Sequence, residues 1–379
     1  MALHLLEALR DSLDSWFEQQ KSQLAEDPLE PLPRERSLAV QRQVAGLNIP
    51  AAQLTFVRQE LEEAIAAWRS DPDASHVLIL LSRPVDPIAP VIEAALAGWT
   101  APVDVCHTLL PCHHRPADPQ ATALMLSAAL EEPLPSGAGD DDTVLLCLPS
   151  LDQCFLRCIK GWSGIGHLRE VILERRDRFW LLGCNGWAWK FLDHVSQINS
   201  YFPDARTLPA LTGDDLRDWL APVSHDLGLG RAADDQPNDA GDGEHSKTGA
   251  GETDQWAQLA DLSLGSFRIA AELWLGALRL DPDSEAGRLQ QSRPALPTLP
   301  ALTDEDRYIL HSLLIHGALR RDHLAYGLGL PSHRLQPRIQ RLLGEGLLRQ
   351  SAAELCVQPG HYPALVKELA NSNLFTGEA

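Results

Sequence analysis

A strand, a tight turn and a helix can together seat a phosphate. The turn's backbone N–H groups and the amino end of the helix both face the bend. The chain offers this arrangement at residues 76–99. Residues 76–82 (HVLILLS) read as a buried strand, 83–87 (RPVDP) as the turn, and 88–99 as the helix. A working phosphate loop also needs glycines, a lysine that reaches the β/γ-phosphates and a Ser/Thr hydroxyl for Mg²⁺. Ser82, Arg83, Pro84, Asp86 and Pro87 occupy the place of such a loop, with no glycine and no lysine. Pro84, Pro87 and nearby Pro90 have no N–H to offer. The bend therefore reads as a degenerate phosphate loop, and the sequence implies no cofactor and no catalytic residue there.

Other candidate chemistry is equally incomplete. The strand 143–148 (TVLLCL) runs out into Pro149-Ser150 with no carboxylate at its tip to hold Mg²⁺. Asp152 follows in the loop, where capping the next helix is the expected role. The strand 178–184 leads into GCNGWAW and sets Asn185 at a carboxyl end, where open α/β sheets bind ligands. Asn185 reads either as a polar sensor of phosphate or as a turn-forming Asn-Gly. His107, Cys112, His113 and His114, with Cys106 nearby, match no closed Cys/His zinc pattern, and no metal is expected. Cys154 and Cys158 are spaced for one face of a helix. No GxSxG elbow is present.

The other chemical signal lies near the C-terminus. Arg334, Arg338 and Arg341 recur at i, i+4, i+7 and share one helical face, with Gln336 and Gln340 beside them. Leu335, Ile339 and Leu342 form the opposite face, and no acid interrupts 332–344. Arg and Gln can read base edges or grip phosphates, so this face could contact DNA. It could equally be a solvated face on a module used for protein contacts. The unit 302–379 carries eight basic and eight acidic side chains, and Pro337 sits a turn inside the helix.

The elements that must position these groups follow from pattern. At 379 residues, two or three domains are expected. The net charge of −20 argues against broad nucleic-acid binding. No stretch is apolar and long enough for a membrane span. Seven scattered cysteines make no disulfide framework, which fits a reducing cytoplasm. Residues 1–26 have helical apolar spacing. Residues 1–69 are read as an N-terminal helical region whose next helix spans 51–69.

From 70 to 222, apolar strands at 76–82, 103–108, 143–148 and 178–184 alternate with helical runs. A short extended piece at 205–209 and a helix at 213–219 close the segment. This is the pattern of a three-layer α/β domain with a parallel sheet. Residues 223–254, rich in Gly and Asp, read as a disordered acidic linker. Residues 255–300 read as a helix to 280 and a Pro-rich linker. In 301–379, helices at 303–316, 320–327 and 332–344 precede two short strands and a last helix at 361–371. That order fits a winged helix-turn-helix.

The order of parts resembles the AAA+/STAND-type P-loop ATPases of bacteria, from about residue 50 onward. The resemblance is carried by the run FWLLGCNGWAWKFLDHV, by TLPALTGDDLRDWL, and by the helical segment and winged helix that follow. The residues for catalysis depart from the family at SRPVDPIA and at LLCLPS. The resemblance implies a P-loop NTPase-like fold without the hydrolytic residues, and Asn185 alone matches a sensor position. A catalytically inactive scaffold or regulatory subunit is then expected, with an active ATPase paralogue as a possible protein partner. A DNA-binding transcription regulator is the alternative.

Overall fold

The computed structural model describes residues 30–71, 73–100, 105–110, 112, 114–131, 143–229, 248–281 and 289–374. The helix expected in 1–26 and most of the acidic linker lie outside the described residues.

A two-residue strand, β1 (Glu30–Pro31), precedes α1 (Arg34–Ala45). The sequence reading had no helix here. Arg, Glu and Gln dominate it, and only Ser37, Val40 and Val44 are buried, so its apolar stripe is too thin to read. α2 (Ala51–Ser70) follows after Pro50. Five strands then form one parallel sheet: β2 (Val77–Ser82), β3 (Val105–Leu109), β4 (Thr143–Leu148), β5 (Phe179–Asn185) and β6 (Ala205–Thr207). Its spatial order is β3-β4-β5-β2-β6. The first strand, β2, is thus flanked by β5 and β6, and Leu80 lies opposite Gly183. α3 (Ile88–Ala97), α4 (Thr122–Glu131), α5 (Ser163–Glu174), α6 (Gly186–Ser196) and α7 (Gly213–Asp226) complete the expected three-layer α/β domain.

The sheet is buried on both faces, as near-continuous apolar strands require. Leu78 and Leu80 meet Val57, Leu61 and Ile65 of α2 and Ile88, Val91 and Ile92 of α3. Ile79 and Leu81 face the other layer with Trp180, Leu182 and Trp187. The helices after β2 and β5 thus leave on opposite faces. The connections diverge between these neighbouring strands, which opens a crevice at their carboxyl ends. α2, expected to belong to a separate N-terminal region, is part of this domain, because its apolar stripe covers one face of the sheet. Gly183 lets the chain after β4 cross closely: a Cβ there would run into the Pro149 carbonyl.

Two expectations downstream are corrected. α7 runs on to Asp226, with Pro222 inside it and a Thr212–Asp215 capping box at its start. The next helix, α8 (Thr248–Leu262), already includes residues assigned to the disordered linker. The single helix expected to 280 is two. Leu264 and Gly265 take positive φ and stop α8, and Ser266 caps α9 (Phe267–Ala277) by accepting from the Ile269 N–H. β7 (Leu278–Leu280) pairs with β1 and with β8 (Leu289–Gln291), so the N-terminal region is tied to this segment.

The C-terminal unit contains α10 (Asp304–His316), β9 (Leu319–Arg320), α11 (Arg321–Leu328), α12 (Ser332–Gly344), β10 (Leu348–Ser351), β11 (Glu354–Val357) and α13 (Tyr362–Asn371). Its strands form an antiparallel sheet in the order β10-β11-β9. Its core is continuous with that of the α/β domain. Ile309, Leu310, Leu313 and Leu314 of α10 join the cluster that holds Trp187.

His361, just before α13, is fully buried among these elements, and burial holds its pKa down at about 4. A histidine whose folded pKa lies below its ordinary 6.5 contributes stability that is complete above pH 6.5. That contribution is lost as the pH falls toward 4. Asp86 and Asp152, raised by burial, contribute with the opposite sign. The comparison is therefore between variants. His361→Gln is expected to flatten the fall in stability between pH 7 and pH 5 relative to the unaltered chain, as measured by urea unfolding at both pH values.

Candidate functional site at the carboxyl edge of the sheet

The three sites the sequence placed at strand tips do converge. The bend after β2, the loop after β4 and Asn185 at the end of β5 all line one cavity at the carboxyl edge of the sheet. The hairpin β10–β11 and the α10–β9 turn close it from the other side.

The bend at 83–87 is fastened down. The Asp86 N–H donates to the Arg83 carbonyl, and the Ser82 hydroxyl donates to the same oxygen. The Asp86 carboxylate accepts from the Ser266 hydroxyl at 2.7 Å, so the degenerate loop holds the cap of α9. Burial pushes the Asp86 carboxyl above its usual range, while Ser266 and the nearby Arg83 and Arg268 charges oppose this.

Asn185 is buried and uses both ends of its carboxamide. Oδ1 accepts from the Ala188 N–H at 2.8 Å and caps α6. Nδ2 donates to the Ile315 carbonyl of α10 at 3.0 Å. Its φ of −80° and ψ of 148° are those of a helix cap in the extended region. The Asn-Gly turn is corrected to a cap, and the donor that would sense a phosphate is taken up by the C-terminal unit.

Asp152 lies inside a short 3₁₀ turn (Leu151–Gln153) and caps no helix, which corrects the expected role. It is buried, and its carboxylate accepts from Ser150 Oγ at 3.2 Å and from Gln153 Nε2 at 3.0 Å. Burial raises its pKa, and the Arg115 charge acts against that rise. Gly317, the C-cap of α10 at positive φ, lies so close that a Cβ would stand 3.5 Å from Asp152 Oδ2.

Arg115 is the residue the sequence reading missed. It is 5% exposed. Its guanidinium donates to the carbonyls of Phe155 at 3.1 Å, Ala318 at 2.8 Å and Asp152. The first and last of these belong to the loop after β4, the second to the C-terminal unit. Gln153 Nε2 reaches the His316 carbonyl at 3.4 Å. The last carbonyls of a helix have no intrahelical donor. At the end of α10 and just beyond it, Asn185, Gln153 and Arg115 supply the donors, so the sheet edge acts as a side-chain cap for the C-terminal unit. Aromatic contacts extend the joint: Phe155 tilts against His316 at 4.9 Å, and Trp187 lies against His311 and Tyr362. His316 Nε2 accepts from the Arg157 N–H. Burial, then Arg115 and Arg157, hold its pKa well below the usual histidine range.

The candidate contact face on α12 is partly neutralised. Arg338 Nε lies 3.1 Å from Glu305, and Arg338 Nη1 donates to Thr303 Oγ1. Arg341 is bonded to Asp306, which also forms the capping box of α10 with Thr303. Arg334, Gln336 and Gln340 remain exposed. Pro331 takes the N-cap position of α12, and Pro337 is an exposed residue within the helix.

The cysteine-histidine run does not assemble a metal centre among the described residues. Cys112 is buried, and His114 lines the cavity. His113 and the side chains of Cys106 and His107 lie outside the described residues. Cys154 and Cys158 fall in an irregular loop and share no helical face; Cys154 is buried and Cys158 half-buried. No described helix is long and apolar enough to cross a membrane.

No protein-family model matches the chain, and no curated protein matches it. Among solved structures, the chain is similar to the RuvB Holliday junction branch migration motor of Thermotoga maritima. That match has 16% identity and a TM-score of 0.30, and covers 85% of this chain and 95% of that one. It is similar also to Cdc6p from Pyrobaculum aerophilum, with 12% identity, a TM-score of 0.32 and coverage of 84% and 93%. The Aeropyrum pernix ORC2 protein gives 12%, 0.33, and 92% and 96%. The fold described above rests on the strand order and layers of the chain itself.

Proposed function

We propose that the chain is a catalytically inactive relative of the AAA+/STAND-type ATPases, working as a scaffold or regulatory subunit through protein contacts. One observation carries the reading. The polar groups at the ligand-binding edge of the sheet hold a second folded unit in place. Asn185, Gln153 and Arg115 cap the end of α10, and Asp86 holds the cap of α9. With no lysine in the bend and no carboxylate at the tip of β4, the edge lacks the groups that align Mg²⁺ and water.

The net charge of −20 favours a protein partner over nucleic acid, and an active ATPase paralogue is the class of partner proposed. The C-terminal unit has the element order of a winged helix. Its Arg338 and Arg341 are engaged with the acidic first turn of α10, which favours a role in protein contacts over the reading of DNA. The test is phosphate release by the full chain at saturating Mg²⁺–ATP, alone and with a candidate ATPase partner. No turnover by the chain alone is expected, together with a changed rate for the partner. Mg²⁺-dependent turnover by the chain alone contradicts the reading.

A further inference from the structure

The joint between the sheet edge and the C-terminal unit encloses three histidines of that unit, His311 and His316 on α10 and His323 on α11. All three are buried. Their partners on the α/β domain fix which ring nitrogens carry protons. The Arg157 N–H donates to His316 Nε2 at 3.2 Å, so that nitrogen carries no proton while the bond stands. His323 Nε2 lies 2.8 Å from the Pro116 carbonyl, which can only accept, so its proton sits on Nε2. Nδ1 of both rings is buried with no hydrogen-bond partner among the described residues. Arg157 Nη1, which can only donate, stands 3.5 Å from His311 Nδ1. A second proton on His316 sets two donors face to face. On His323 it buries an unpaired N–H together with a charge.

The surrounding elements bring more positive than negative charge. The loops after β3 and β4 set Arg115 and Arg157 near His316, and Arg320 of β9 stands near His323. Two acids face the joint. Asp152 lies beside Gly317 and already accepts from Ser150 and Gln153. Glu354 of β11 attracts both Arg115 and His323. The other neighbours are neutral. α6 lays Trp187 against His311, the 3₁₀ turn Pro119–Ala121 packs beside α11, and α12 turns Leu335, Ile339 and Leu342 inward. Arg321 of α11 reaches Gln350 instead, and Asp322 is exposed. Burial first and the Arg115 charge next hold both His316 and His323 below the usual histidine range.

We propose that this joint is an acid-sensitive latch: it closes only while His316 and His323 are neutral, and their protonation in mildly acid solution releases the C-terminal unit from the sheet edge. Once undocked, both rings meet water and return toward the ordinary histidine pKa of 6.5. A group whose docked pKa lies below its undocked value supports docking fully above pH 6.5 and loses that support as the pH falls. At pH 5.5 an undocked ring is about nine-tenths protonated. That weakens docking about tenfold for one histidine and about a hundredfold for the two. Release uncovers the edge that Asn185, Gln153 and Arg115 hold against α10. The latch does not depend on the scaffold reading.

The test is hydrogen exchange at the Arg157 amide in the full chain, because its bond to residue 316 must break before it exchanges. Rates are read at pH 7.5 and pH 5.5 and corrected for the intrinsic pH dependence of exchange. The unaltered chain is compared with His316→Gln, His323→Gln and the double variant. Glutamine can accept from the Arg157 N–H at 316 and donate to Pro116 at 323, and it takes up no proton. His361 and the buried carboxylates are the same in every chain, so their pH dependence cancels in the comparison. Between the two pH values, protection is expected to fall about a hundredfold further in the unaltered chain than in the double variant, and about tenfold further in each single variant. His333→Gln, at an exposed position of α12, is expected to behave like the unaltered chain. Exchange over β2 is expected to stay slow at both pH values. Circular dichroism at pH 7.5 confirms that each variant is folded. If the double variant does not fold, the single variants carry the test, each falling about tenfold less than the unaltered chain. Equal falls in the unaltered chain and the variants overturn the proposal. So does an equal loss of protection over β2, which makes the event unfolding of the whole chain, or a flattening by His333→Gln as large as that by His316→Gln.

Discussion

Arg115→Ala is expected to lower the stability of the full chain by about 3–5 kcal/mol, the range for removing one partner of a buried charged network. The loss has three sources. The carbonyls of Phe155 and Asp152 lose their donor while still buried, and the half-buried Ala318 carbonyl loses it as well. The buried Asp152 carboxylate loses the charge that opposes its desolvation. The side-chain volume at a nearly solvent-free position is left empty. Arg115→Lys is expected to recover little, because one ammonium cannot serve three carbonyls set at different angles. Urea unfolding measures the loss. Proteolysis under native conditions should cut the α10–β9 turn, at Gly317 and Ala318, sooner in the variant. A loss under about 1 kcal/mol would reduce the contact to the ordinary worth of a surface pair.

The second large effect concerns Asn185→Asp, which keeps size and shape. The new carboxylate can still accept from the Ala188 N–H, so the cap of α6 survives. Its second oxygen replaces the amide donor 3.0 Å from the Ile315 carbonyl, so two acceptors face each other in a buried place. A cost of about 3 kcal/mol at pH 7 is expected. Acid should return part of it. The folded state favours the protonated carboxyl, whose O–H can donate to Ile315, so the folded pKa of this Asp is raised. Stability relative to the unaltered chain then recovers as the pH falls through that raised value. If Asn185 were only a turn residue, the substitution would be nearly silent and its pH dependence flat. Hydrogen exchange over 311–318 distinguishes the two, since only undocking exposes the end of α10.

Most of the frame was legible because its strands are short apolar runs between turn residues. The strand at 143–148 matches β4, the one at 76–82 starts one residue before β2, and the one at 178–184 is shifted by one residue at both ends from β5. Every helix of the C-terminal unit lies within a residue or so of its sequence position, because Thr303 and the Leu/Ile spacing mark the starts and faces. α1 was invisible because a polar helix with three buried side chains has almost no periodic signal. The break between α8 and α9 did have a signal. In the SLGS run, Gly265 ends one helix and Ser266 caps the next.

The site was half legible. Strand ends point to Ser82, Ser150 and Asn185, and all three line the cavity. What fills the place of a nucleotide was not legible, because the partners are remote in the chain. Asn185 meets Ile315, 130 residues away, and Arg115 meets Ala318, 203 residues away. Arg115 belongs to no motif. A lone arginine in a loop looks like surface until the fold buries it.

The most direct measurement is equilibrium binding of ATP to the full chain, titrated with and without Mg²⁺. No Mg²⁺-dependent gain in affinity is expected, because no lysine stands in the bend to reach the β/γ-phosphates and Asn185 and Asp152 face α10 and its C-cap. Micromolar affinity that requires Mg²⁺ and is lost in Asn185→Asp would contradict it, and would place a working nucleotide site where the C-terminal unit docks.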